Sequence, residues 1–163
     1  MKDTGCAYFA GGCFWGTEYF FSQAQGVLST SVGYMGGHTE HPDYKEVCAG
    51  NTGHYETNEI KYDATQTSYE NMVKLFFEIH DFTQADGQGP DIGQQYLSVI
   101  FFQNEWQQAI AEKYINTLTD KGYQVATVIH PVSTFWKAED YHQNYYRHQG
   151  TIPYCHAYRK IFE

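Results

Sequence analysis

The order in which apolar residues change their period limits this chain to a narrow set of architectures. Residues 6–10 (CAYFA) are an apolar run of strand length, and Gly11 and Gly12 break it. From Cys13 to about Ala24 the apolar positions recur with a helical period, and Gly26 stands where a helix stops. Strand-like runs follow at 27–35 and 54–62, separated by the polar loop GGHTEHPDY. Thr67-Ser68-Tyr69-Glu70 has the form of a capping box and opens a helix to about His80. A glycine-rich loop, DGQGPDIGQQ, leads into a strand at 96–102 (YLSVIFF). Asn104 then caps a helix that carries Trp106, Ile110, Tyr114 and Leu118 on one face and ends at Gly122. Val125, Thr127 and Ile129 alternate as a further strand. A short helix over about 138–147 precedes an irregular tail, 148–163. Strands joined by both hairpins and helical crossovers predict an α+β fold, a two-layer sandwich with a mixed sheet and helices packed on it.

At 163 residues one domain over 1–163 is expected. Such a chain buries roughly 70% of the surface its unfolded form exposes, enough to fold without disulfide or metal staples. Ten basic against nineteen acidic side chains leave a charge of −9. That field repels phosphate, which argues against nucleic acid and anionic membranes as partners. No stretch reaches the roughly 20 apolar residues of a membrane helix. The start, MKDTGCAYFAGGCFWG, lacks a signal peptide's apolar run, so a cytoplasmic protein is expected. Four cysteines are too few for a disulfide scaffold and read better as thiols, ligands or catalysts. The unusual quantity is aromatic: 15 Tyr, 11 Phe and 3 Trp make up 18% of the chain. Tyrosine joins an apolar ring to a hydroxyl, which suits a pocket for an apolar ligand carrying one polar atom.

The densest local pattern is Gly11-Gly12-Cys13-Phe14-Trp15-Gly16, at the junction of the first strand and helix. A thiol is nucleophilic as thiolate, and a helix N-terminus offers N–H donors and positive potential that favour this form. The glycines allow a sharp turn and leave room for a substrate to approach. Phe14 and Trp15 are costly to expose unless they line an apolar pocket, and a methyl group on sulfur fits that description. Cys13 is the candidate nucleophile. Taken singly, the other polar residues are ambiguous. Glu56 could face outward from its strand, Asp91 could be a turn residue after Pro90, and Tyr44 and Tyr96 are two of fifteen tyrosines.

Other chemistries are open at this point. His38, His41, Cys48 and His54 lie within seventeen residues, although the spacing H-x2-H-x6-C-x5-H lacks the paired cysteines of a strong zinc signature. Cys13 with His54 or His142 would supply the nucleophile and base of a hydrolase. A thiol peroxidase would use a similar cysteine but has no need of aromatic residues beside it.

The block GCFWG at 12–16 resembles the active-site signature of the A-type peptide methionine sulfoxide reductases. The similarity continues through 33–56 (GYMGGHTEHPDYKEVCAGNTGHYE), 80–98 (HDFTQADGQGPDIGQQYLS) and 138–145 (AEDYHQNY), nearly the whole chain. This resemblance implies a ferredoxin-like plait core, reduction of the S epimer of methionine sulfoxide, and no metal or organic cofactor. It implies Cys13 as nucleophile, with Phe14 and Trp15 holding the substrate's ε-methyl group. Tyr44, Glu56, Asp91 and Tyr96 match the family residues that surround the sulfoxide oxygen. Thiolate attack on a sulfoxide sulfur is slow until the oxygen gains a proton. A carboxylic acid whose pKa is raised by burial can hold that proton near neutral pH. Glu56 is assigned this role, with Tyr44 and Tyr96 donating hydrogen bonds to the oxygen. His142 lies in the last block but is left outside the catalytic set.

Reduction of the substrate would leave Cys13 as a sulfenic acid. The family commonly keeps a resolving cysteine in its tail, so the resemblance implies a Cys13–Cys155 disulfide that thioredoxin reduces. The tail TIPYCHAY departs from the glycine-rich family pattern after its cysteine, and no second cysteine follows 155. Cys6 and Cys48 are expected to be buried thiols without a catalytic role. The implied enzyme is a monomer acting on oxidised proteins or free methionine sulfoxide.

Overall fold

In the computed structural model, which describes residues 4–154 and 156–162, the first apolar run is the strand β1 (Thr4–Gly11). It pairs antiparallel with β3 (Tyr55–Asp63) on one side and β6 (Ser98–Phe102) on the other. On its far side β3 pairs antiparallel with β2 (Val27–Met35). The helix α1 (Phe14–Ser22) connects β1 to β2, and α3 (Tyr69–Glu78) lies between β3 and β6. The spatial order β6-β1-β3-β2 with these two helical crossovers is the expected plait. Two further strands extend it. At one edge β7 (Val128–Pro131) joins β6 in parallel, and at the other the two-residue β8 (Trp136–Lys137) pairs with β2. The parallel pair makes the sheet mixed.

The main core lies between the sheet and the helices α3 and α4 (Glu105–Asp120). Ala7 and Phe9 of β1, Ile60 of β3 and Ile100 of β6 point into it. Phe9 stacks on Phe76 at 4.9 Å and on Phe21 at 5.5 Å. Burying each such ring contributes roughly 1.5–3 kcal/mol. The opposite face of β1 is also covered: Ala10 packs with Met35, Val99 and Phe101 under Val132 and Phe135. Among the described residues no helix is long and apolar enough to cross a membrane.

Several local features differ from the sequence expectation. The α3 cap is Ser68, whose hydroxyl accepts the Asn71 N–H at 3.1 Å, and Glu70 accepts the Tyr114 hydroxyl instead of closing a box. Trp106 is 59% exposed, and the polar Gln107 takes its place on the buried face because its amide spans to the Cys6 carbonyl. The loop before β3 contains a short helix, α2 (Tyr44–Cys48), begun by a reciprocal capping box of Asp43 and Glu46. Five residues are too few for a period to register. The helix expected over 138–147 is broken. A 3-10 turn at Asp140–His142 is followed by Asn144 in the left-handed region, and only then by α5 (Tyr145–Gln149). Asn tolerates that conformation, and Glu18 fixes it by accepting the Asn144 N–H at 2.7 Å. Beside this turn the Gln143 amide bonds both the N–H and the C=O of Val32, at 2.8 and 2.9 Å, like a one-residue strand on the edge of β2.

Candidate active site

β1 ends at Gly11, and the chain reverses through Gly12 before α1 begins after Cys13. Gly12 has φ +93, and a side chain there would also run into Gln88, so the turn requires glycine twice over. Cys13 is buried at the N-cap of α1, which has no side-chain cap of its own. The Phe14 N–H at this unpaired end donates to Glu56 Oε1 at 3.2 Å.

Glu56 reaches this point because it stands on β3 opposite Tyr34 of β2, with its side chain on the α1 side. It is 1% exposed. Its second oxygen, Oε2, is buried with no protein partner among the described residues. Burial raises its pKa well above the usual carboxylate value, and the neighbouring Cys13 and Asp91 add to this against the Phe14 N–H. The acid therefore keeps its proton to unusually high pH.

Tyr44 opens α2, and Tyr96 closes the 3-10 turn Gln94–Tyr96. Both rings are half-buried, and both hydroxyls are pushed well above the phenol range, first by burial and next by Glu56. The Cys48 thiol, one helical turn after Tyr44, lies near both hydroxyls, and burial raises its pKa. Asp91, in the short strand β5 (Asp91–Ile92) that pairs with β4 (Gly87–Gln88), sits at the margin and accepts the Tyr154 hydroxyl at 3.3 Å. Cys13, Tyr44, Glu56, Asp91 and Tyr96 thus converge from five separate segments.

An aromatic wall flanks them. Phe14 is fully buried against Tyr34, Tyr44 and His142, so it lies beneath the surface. Trp15 is the ring at the surface, stacked on Tyr145 at 3.7 Å. Trp15 Nε1–H donates to His142 Nδ1 at 2.9 Å, so Nε2 carries the proton in the neutral ring. Burial holds His142 below the ordinary imidazole value despite Glu139, whose Oε1 lies 4.0 Å from Nε2. Glu139 in turn accepts the Tyr34 hydroxyl at 2.9 Å and the Tyr44 N–H at 3.1 Å. Although burial opposes it, these bonds keep Glu139 below the usual carboxylate range.

Glu139 and His142, which sequence reading left out, are thus the residues that fix Trp15 and Tyr44. The spacing Glu-x2-His in the AEDYHQNY block was the available signal. The space beside the Cys13 turn is also used differently than expected. Rather than standing open to substrate, the notch at Gly12 and Gly16 holds the imidazole of His156.

The remaining expectations divide. Cys6 is half-buried, and Cys48 is exposed at the end of α2, so neither is a fully buried thiol. His54 spends both ring nitrogens on backbone, accepting from Gly37 N–H at 3.1 Å and meeting the Thr39 carbonyl at 2.8 Å. Among the described residues, no three His, Cys, Asp or Glu side chains converge as a metal site would require. His142 points at Trp15 and Glu139, which leaves it unsuited as a hydrolase base for Cys13. Cys155 lies outside the described residues.

Known proteins resemble this chain over nearly its whole length. The chain is 44% identical to the peptide methionine sulfoxide reductase MsrA of Natronomonas pharaonis, over 97% of its own length and 92% of the relative's. It is 47% identical to the Acinetobacter baumannii protein of the same name, over 91% of this chain and 86% of that one. Its fold superposes on reduced Mxr1 from Saccharomyces cerevisiae with a TM-score of 0.88 at 31% identity, covering 96% and 92% of the two chains. Methionine sulfoxide reductase A of Corynebacterium diphtheriae gives 0.81 at 36% identity, covering 90% and 76%. The profile of the family described as peptide methionine sulfoxide reductase spans residues 5–163, and the chain belongs to that family of enzymes.

Proposed function

We propose that the protein reduces the S epimer of methionine sulfoxide, free or in proteins, with Cys13 as the nucleophile. The observation that carries this reading is the Glu56 carboxyl, buried, tied by one oxygen to the residue after Cys13 and charge-averse. The Cys13 sulfur attacks the sulfoxide sulfur while Glu56, aided by the Tyr44 and Tyr96 hydroxyls, protonates the departing oxygen. The substrate's S–O bond breaks, the protonated oxygen passes to the Cys13 sulfur as hydroxyl, and the transient bond between the two sulfurs breaks as it does so. The substrate sulfur gains two electrons and leaves as the thioether, and the cysteine sulfur loses two and becomes the sulfenic acid. Glu56 regains its proton from the thiol's share, so atoms and charge balance. Trp15, with Phe14 beneath it, holds the ε-methyl group, and Asp91 adds to the field that keeps Glu56 protonated.

In this reading Cys155 condenses with the sulfenic acid, releasing water, and thioredoxin reduces the resulting Cys13–Cys155 disulfide by exchange. The enzyme works as a monomer in the reducing cytoplasm, without metal or organic cofactor. Separated S and R epimers of a blocked methionine sulfoxide, with dithiothreitol as reductant, test the reading. Turnover of S alone supports it; turnover of R, or of neither, overturns it.

A further inference from the structure

Between exposed Tyr154 and exposed Ala157, the side chain of His156 is buried, at 6% exposure. Its Nε2 lies 2.6 Å from the Gly11 carbonyl oxygen, and since a carbonyl only accepts, Nε2 carries a proton. Burial pushes this imidazole below its ordinary value, against the Gly11 carbonyl and Asp91, while His80 is the other titratable ring facing it. The ring lies in the notch formed by the two glycines that bracket the Cys13-Phe14-Trp15 turn. A Cβ on Gly16 would overlap Nδ1, and one on Gly12 would come within 3.1 Å of Nε2. On the other side of position 155, the Tyr154 hydroxyl donates to Asp91 Oδ1 at 3.3 Å. Tyr154 and His156 are each bonded to a neighbouring segment, and the buried contact is the histidine.

We propose that His156 is a positioning residue for the resolving step: seated on the Gly11 carbonyl between Gly12 and Gly16, it ties the tail to the turn that carries Cys13 and sets how fast the sulfenic acid is captured. This rests on the reading that Cys155 resolves. In that step the Cys155 sulfur attacks the sulfenyl sulfur of Cys13. The S–S bond forms, the S–O bond breaks, and the hydroxyl leaves as water with the thiol's proton. Restricting the tail raises the effective concentration of its thiol, as for any oriented intramolecular reaction.

The test is rapid mixing of reduced full-length enzyme with S-sulfoxide. Quenching with dimedone and mass spectrometry then follow sulfenic acid and Cys13–Cys155 disulfide separately. The quantity read is the ratio of the disulfide-forming rate to the sulfenic-acid-forming rate. His156→Ala is expected to lower it about tenfold, the worth of one well-made hydrogen bond with its packing. His156→Gln places an amide N–H where Nε2 was and is expected to recover most of the loss. An unchanged ratio in His156→Ala, or a Gln variant no better than Ala, overturns the positioning role. Wild-type enzyme that forms no Cys13–Cys155 disulfide overturns the role of Cys155 itself, and this inference with it.

Discussion

The backbone N–H of Phe14 and the Oε1 of Glu56 meet at 3.2 Å, which couples the helix that follows Cys13 to the sheet strand that carries the buried carboxyl. Because the bond goes to the backbone, it fixes Glu56 relative to the Cys13 turn whatever side chain stands at 14. Glutamine keeps the accepting oxygen and loses the proton. Glu56→Gln is therefore expected to slow sulfenic acid formation by about 10²- to 10⁴-fold, the span of general acid catalysis. In the wild type the rate should fall as pH rises through the raised pKa of Glu56, and the variant should lack that limb. Single-turnover rates across pH 5 to 10 check both.

The same carboxyl makes stability depend on pH in an unusual direction. Above the ordinary Glu value of 4.5 the unfolded chain releases this proton while the folded protein retains it. The unfolded state then binds fewer protons, so stability falls as pH climbs from the unfolded pKa to the folded one. The loss is about 1.4 kcal/mol for each unit separating the two. Glu56→Gln should remove this slope and be more stable than the wild type at pH 8. Urea midpoints at pH 5 and pH 8 decide it, and parallel slopes in both proteins would refute the buried-acid account.

Trp15 is held by a hydrogen bond to His142 and a stack on Tyr145. His142→Ala removes the acceptor and leaves space behind Phe14, so Trp15 should lose its fixed orientation. A rise of about 10-fold in KM is expected, with a smaller change in kcat, as for loss of roughly 1.5 kcal/mol of binding. Steady-state kinetics with saturating dithiothreitol would show it.

At Gly16 a methyl group would strike the His156 ring. Gly16→Ala should slow disulfide formation much as His156→Ala does, although alanine in a helix is ordinarily favourable by about 1 kcal/mol. In the His156→Ala background the same substitution should add little. Rates that multiply in the double variant would separate the two residues and contradict the shared notch.

A control lies far from this chemistry. Asn104 caps α4 by accepting the Gln107 N–H at 2.9 Å. Asn104→Ala should cost about 1 kcal/mol of stability and leave sulfoxide reduction as it is, read by denaturation and by turnover.

Much of this architecture was legible because periodicity and length agree. β2 matches its expected range of 27–35, and α4 begins where Asn104 caps it. The mixed α+β sheet followed from the order of those elements. Misreadings cluster where side chains override local pattern. The Asp43–Glu46 box makes a helix inside a polar loop, and Gln107 displaces Trp106 from the buried face. Asn144 breaks a helix because a distant Glu18 holds its N–H. At the site, the Cys13 turn stood out because its neighbours are chemically unusual together. Glu56, Tyr44, Tyr96 and Asp91 were picked out by family resemblance, since nothing in a linear spacing brings four segments to one point. The support from Glu139, His142 and His156 depends on contacts spanning tens of residues, which no local signal encodes.

The edges of the sheet have a consequence for the company this protein can keep. β8 offers only Trp136 and Lys137, and β7 ends in Pro131, which has no N–H to donate. Along the longer β2, the Gln143 side chain occupies both backbone groups of Val32. An amide on a side chain satisfies a strand but cannot hand the ladder on to another chain. Polypeptides whose methionines have been oxidised lose core packing and expose strands of their own. An enzyme of this family that bared long edges to such chains would invite co-aggregation, and this one interrupts its edges with a short strand, a proline and a glutamine.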